Sequence, residues 1–184
     1  IGPYVLKGKD GSEVNFMCLT MMDPATNWFE VIELPVVDKP GSDTSDLAVS
    51  AEYFDKTSQK ITRLVNKLWF CSYPRCKYVV FDNSSELKLY FRKLIKSYRL
   101  EKKPTTIKNP QANSILERVH QVFGNMLRTS ELDMADSVNA ESVSNFINDA
   151  SWEICSTYHT KLKSSPGAAI FGRDMLFDIP YLAN

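Results

Sequence analysis

The chain has 184 residues, 43% of them hydrophobic and 24% charged, and its 22 basic side chains balance 22 acidic ones. That length fits one domain with one sizeable core. The composition argues against disorder, and zero net charge excludes a generally basic nucleic-acid binder. No apolar run approaches the roughly 18 residues of a membrane span, and the first residues, IGPYVLKGKDG, lack the charged start and apolar core of a signal peptide, so no membrane partner is expected. Four cysteines (Cys18, Cys71, Cys76, Cys155) are too few for a disulfide scaffold and point to a reducing compartment. Cys71 and Cys76 resemble half of a zinc site, but the two histidines, His120 and His159, lie far along the chain.

In chain order, Val14 to Thr20 and Trp28 to Leu34 are rich in aromatic and β-branched residues around the turn-forming MDPATN, which predicts an antiparallel hairpin. VDKPGSDTSD then reads as a loop. Ile61, Leu64, Val65, Leu68 and Trp69 fall on one face of a helix expected to pack on a sheet. KYVVF, Lys77 to Phe81, is an apolar run of the kind found in a central strand covered on both faces, and it delivers Asp82 at its end. Leu87, Tyr90, Phe91, Leu94, Ile95 and Tyr98 then repeat at helical spacing, with Ser84 or Ser85 available as a cap.

Leu100 to Lys103 is charged enough for an edge strand. After the loop of Pro104 to Asn113, a helix from about Gln111 to Arg128 carries a stripe of Leu116, Val119, Phe123, Met126 and Leu127. A second helix carries Val143, Phe146, Ile147, Ala150, Ile154 and Tyr158, beyond a polar loop at SELDMADSVNAES. The end, SSPGAAIFGRDMLFDIPYLAN, reads as a short helix or turn and an apolar tail. The order of elements fits an α/β domain with a mixed sheet between helices.

Two acidic motifs stand out: FDNSSEL with Asp82, and KNPQANSILERVHQ with Glu117 one turn into its helix, with 34 residues between the two carboxylates. An aspartate at a strand end and a glutamate on a later helix suit a site where metal ions act on a phosphodiester. Between them lie Lys88, Arg92, Lys93, Lys96, Arg99, Lys102, Lys103 and Lys108 against Glu86 and Glu101, eight basic and two acidic residues for a local excess of six. Such a face can meet a polyanion, although a charge run of this size also makes ordinary solvated surface. On the helical wheel Glu117 lies away from the apolar stripe, so the pattern alone is equally that of a solvated glutamate.

FDNSSEL, TTIKNPQANSILERVHQ and STYHTKLKSSPGAAIFGRD together resemble the integrase catalytic core of gypsy-type LTR retrotransposons, and more distantly of retroviruses. The resemblance covers nearly the whole chain, residues 1–184, with 161–184 as the tail of the core. It implies an RNase H-like fold, a mixed five-stranded sheet flanked by helices, and metal-dependent DNA strand transfer of the DDE type, a nucleotidyltransferase activity. Two Mg²⁺ (or Mn²⁺) ions are implied, Asp82 holding one and Glu117 the other, because hard cations take oxygen ligands. The aspartate that bridges both ions lies in a D-x-I-G-P sequence in the family. The chain begins at Ile1-Gly2-Pro3, so that residue is expected two positions upstream and the fragment is expected to be inactive alone. Asp23 instead matches the end of the second strand, where its role is turn chemistry.

By the same resemblance, Asn83 and Ser85 lie near target DNA or else cap the next helix. Pro110, Gln111 and Asn113 form the loop before the catalytic helix, where polar groups contact phosphate. Arg118 steers a phosphate or pairs with a neighbouring carboxylate. DNA ends and target DNA are the implied partners of a homo-oligomer, in the nucleus or an intracellular retroelement particle; family members usually carry flanking zinc-binding and DNA-binding domains, neither of which is expected within these residues.

Departures from the family pattern are Ser84 for glycine, Leu87 for phenylalanine, Arg99 where glycine precedes Leu100, a spacing one residue short, and Cys71 and Cys155 where basic residues are usual. A turn at Arg99 that needs positive φ would carry strain of about 1 kcal/mol. These features fit a decaying copy, so a non-catalytic DNA-binding or assembly module is one alternative. An RNase H-type nuclease is the other.

Overall fold

The structure, a computed structural model, describes residues 1–37, 53–82, 84–104, 114–130 and 136–176. The chain divides into two compact units, one built from Pro3–Ile32 with Arg118–Asn184 and the other from Glu33–Glu117.

The first unit opens with a hairpin that the sequence reading left unassigned. β1 (Tyr4–Lys7) pairs antiparallel with β2 (Glu13–Phe16), Tyr4 opposite Phe16 and Leu6 opposite Val14. Its turn closes through Gly8 N–H to Ser12 O at 2.8 Å and holds Gly11 at φ 85°. The strand expected over Val14–Thr20 is thus divided, because β2 bonds to β1 while β3 (Cys18–Met22) bonds to β4 (Phe29–Glu33). Between β3 and β4, Asp23 accepts hydrogen bonds from Ala25 N–H (3.2 Å), Thr26 N–H (3.3 Å) and Thr26 Oγ1 (2.7 Å). Its carboxylate is engaged in the turn as the sequence suggests.

Three helices complete this unit. α3 (Ser114–Ser130), which belongs to this unit from Arg118 onward, buries Phe123 and Leu127, while Leu116, Val119 and Met126 of the expected stripe are half-buried. α4 (Ala140–Ser156) is started by a capping box in which Asn139 and Ser142 satisfy each other's backbone N–H groups. It buries Val143, Ile147, Ala150 and Cys155 and lies against β2. Tyr158 is not part of that face: the helix ends at Ser156 and the ring is 63% exposed. α5 (Pro166–Phe171) is the short helix expected near the end, with Ser165 capping and Pro166 in its first turn. The core is aromatic, with Tyr4–Phe16, Tyr4–Phe123, Phe16–Phe146 and Phe123–Phe146 centroids 5.6, 5.8, 6.2 and 5.2 Å apart.

The second unit contains β5 (Val36–Val37) paired with β6 (Tyr53–Phe54), then α1 (Ser58–Val65), capped by Thr57 and continued by a π-helical turn over Asn66–Phe70. α1 was expected to pack on a sheet, but its main neighbour is α2 (Leu89–Ser97). Tyr98 Oη donates to Asn66 Oδ1 at 2.7 Å and its ring lies 5.2 Å from Phe70, tying the two helices together.

β7 (Tyr78–Phe81), α2 and β8 (Glu101–Pro104) form a β-α-β unit, the two strands pairing parallel from Tyr78–Glu101 to Phe81–Pro104. Parallel pairing requires the crossover that α2 supplies. β7 is less covered than a central strand, with Tyr78 45% exposed. Only its Phe81 end is buried, against Phe91 at 5.2 Å. The ladders are two-stranded in the described residues.

The serine cap expected for α2 is not used. Lys88 occupies the cap position without a side-chain bond, its N–H donates to Ser85 O at 3.3 Å, and Ser85 Oγ turns to Glu86 Oε2 at 3.0 Å.

At the other end of α2, Leu100 N–H donates to Ile95 O and Arg99 N–H to Lys96 O, both at 3.0 Å, around Arg99 at φ 57°. This is a Schellman motif, whose left-handed position normally holds glycine. Arg99→Gly is therefore expected to stabilise the protein by about 1 kcal/mol, a rise of roughly 2–4 °C in the thermal midpoint. An unchanged or lower midpoint in a thermal melt would contradict the strained assignment.

Candidate functional site

Asp82 stands where β7 stops. Burial of Phe81 against Phe91 anchors the strand end, and the next residue emerges exposed. Its Oδ1 accepts from Ser84 N–H at 3.3 Å, which orients one oxygen. Glu117 lies exposed in the first turn of α3, where the helix dipole favours an acid. It has no hydrogen-bond or ion-pair partner among the described residues. Both carboxylates belong to the unit Glu33–Glu117, and no hydrogen bond joins them.

Each is an exposed carboxylate, and carboxylate oxygen is the kind of donor a hard divalent ion takes. No group of three or more His, Cys, Asp or Glu that could hold a metal is gathered among the described residues.

Of the other expected site residues, Ser85 is exposed and bonded to Glu86, and Arg118 is exposed beside Glu117 without a carboxylate partner among the described residues. Asn83, Pro110, Gln111, Asn113 and Lys108 lie outside the described residues. Lys88, Arg92, Lys93, Lys96 and Arg99 are exposed on and around α2, and Lys102 and Lys103 on β8. Three cations lie over tyrosine rings: Lys103 over Tyr78 at 3.7 Å, Arg75 over Tyr98 at 4.1 Å and Lys93 over Tyr90 at 5.6 Å.

One residue near the site escaped the sequence reading. His120 Nε2 lies 2.8 Å from Thr20 Oγ1 of β3. The signal was present: His120 follows Leu116 by four residues and precedes Phe123 by three, which places it on the apolar stripe. Burial pushes its imidazole down to about 4.

Because the folded value lies below the ordinary value of 6.5, the unfolded chain takes up the proton first as the medium is acidified. The contribution is fully present above pH 6.5 and is lost as pH falls towards 4. His120→Gln is expected to flatten that part of the profile when urea midpoints are compared between neutral pH and about 4.5. Equal losses in the two proteins would contradict it.

No protein-family model and no curated protein matches the chain. Solved structures do. The catalytic core domain of BIV integrase is 12% identical, with 92% of this chain and 91% of that one covered and a TM-score of 0.61. The HTLV-2 integrase catalytic core domain in complex with magnesium, in a trimeric form, is 14% identical over 89% and 88% of the two chains, with a TM-score of 0.56. The simian T-cell lymphotropic virus intasome in complex with PP2A regulatory subunit B56 gamma matches at 14% identity and a TM-score of 0.62. There the match takes 98% of this chain but 55% of that one, so the chain spans about half its length. Identities this low carry the fold alone: this chain has the mixed α/β fold of retroviral integrase catalytic cores.

Proposed function

We propose that the chain is the catalytic core of a retroelement integrase of the gypsy LTR type, acting in metal-dependent DNA strand transfer. One observation carries the reading: within a fold shared with integrase cores, an exposed aspartate ends a parallel strand and an exposed glutamate opens a long helix. The RNase H-like five-stranded sheet is part of this reading. So is a third, bridging carboxylate, which the family carries in its D-x-I-G-P sequence.

Asp82 and Glu117 are the residues that would hold Mg²⁺ or Mn²⁺. When bound, such ions stabilise charge on the attacking and leaving oxygens of a phosphodiester. The Ser84 N–H bond restrains Asp82 Oδ1. The exposed cations of α2 and β8 attract a nucleic-acid backbone, and Asn83, Ser85, Gln111, Asn113 and Arg118 are assigned to DNA contact. A homo-oligomer on paired DNA ends, in the nucleus or a retroelement particle, is the setting this implies.

A second reading is favoured by Arg99 at φ 57° where the motif wants glycine. It is a DNA-binding or assembly module that has kept the fold of a decayed copy without its chemistry.

The test is Mg²⁺-dependent joining of donor DNA ends to a target by the protein with its upstream sequence, alongside Asp82→Asn and Glu117→Gln. Strand transfer by the parent, reduced about 10²–10³-fold in each variant, is expected, since each ligand supports several kcal/mol of charge stabilisation. DNA binding without joining in all three proteins would move the assignment to the non-catalytic module. Cleavage of an RNA–DNA hybrid in its place would make the protein a nuclease.

A further inference from the structure

The first fully buried side chain of α3 is Phe123, six residues beyond Glu117. Ahead of it the helix is covered by the half-buried Leu116, Val119 and His120, with exposed residues between them. Leu116 and Val119 are half-buried apolar side chains, and apolar packing is not directional about the helix axis. A hydrogen bond is directional. The bond from His120 Nε2 to Thr20 Oγ1, 2.8 Å long and spanning 100 positions of sequence, restrains that rotation.

We infer that His120, held by Thr20, is a positioning residue for Glu117, setting the roll of α3 and with it the direction of the carboxylate. The inference rests on the reading of Glu117 as a metal ligand. Glu117 and His120 are three residues apart, hence neighbours on one helix surface. A carboxylate some 5–6 Å from the helix axis moves about 2 Å for a roll of about 20°. Metal–ligand distances tolerate about 0.2 Å, so a small roll is enough to lose the site. The imidazole stays neutral well below neutral pH because it is buried. It therefore keeps one donor and one acceptor nitrogen, and the hydroxyl of Thr20 can satisfy either.

A bond that serves stability alone would leave metal affinity unchanged, and substitutions at Thr20 separate the two roles. Thr20→Val keeps the shape of the side chain and removes the hydroxyl, while Thr20→Ser keeps the hydroxyl. In the full-length protein, Mn²⁺ affinity by titration calorimetry is expected to fall about 10–100-fold in Thr20→Val, the size usual for loss of an outer-shell partner. Thr20→Ser is expected to recover most of it. In strand transfer, kcat falls in Thr20→Val with KM for DNA little changed.

Equal Mn²⁺ affinities in the two Thr20 variants would overturn the inference. If the parent bound Mn²⁺ no better than the Asp82→Asn/Glu117→Gln protein, the metal-site reading would fall and the inference with it.

Discussion

Burial of Phe123 is the contact on which the rest of the first unit depends. Its ring is fully buried between Tyr4 of the opening hairpin and Phe146 of α4, which brings strand and helix layers onto one residue. Burying a phenylalanine contributes about 2–3 kcal/mol, and each tilted or edge-on ring pair adds about 0.5–1.5 kcal/mol. That is a large share of the net stability of a domain. The same contact anchors α3, from Arg118 onward, in the core of this unit.

The second unit solves a different problem, delivery of an acid to a strand end. The parallel β7–β8 pair requires a crossover, and α2 supplies it with Phe91 packed against Phe81. Strand and helix therefore anchor each other beside Asp82. The helix stops in a left-handed residue because β8 has to turn back at once, and Arg99 takes that conformation at a cost that glycine would avoid. Lysines and arginines of α2 and β8 are exposed, and the ammonium groups of Lys93 and Lys103 lie over the Tyr90 and Tyr78 rings.

Periodicity and apolar runs made much of this legible in the sequence. The run ending at Phe81 marked β7, the spacing of Leu116 to Leu127 marked α3, and the Asp23 turn followed from its composition. Other features were set by tertiary contacts. Tyr4–Lys7 is too short to announce a strand, and only its pairing with β2 makes it one. Ser84 and Ser85 are good caps in isolation, but their groups are turned to Asp82 and Glu86. Tyr158 continues a helical pattern past the point where the backbone leaves the helix. For the site, Asp82 and Glu117 were visible only as a motif, since two exposed acids look the same in sequence whether or not they act together. The His120 contact needed the fold, because its partner lies 100 residues away.

The central claim is that Asp82 and Glu117 share one divalent-ion site. It is tested most directly by adding Mn²⁺ to isotopically labelled protein and following paramagnetic loss of backbone amide signals. Two regions are expected to lose intensity together, the end of β7 and the first turn of α3, with Asp82→Asn reducing the loss in both. Loss confined to one region, or unchanged by the substitution, would contradict a shared site.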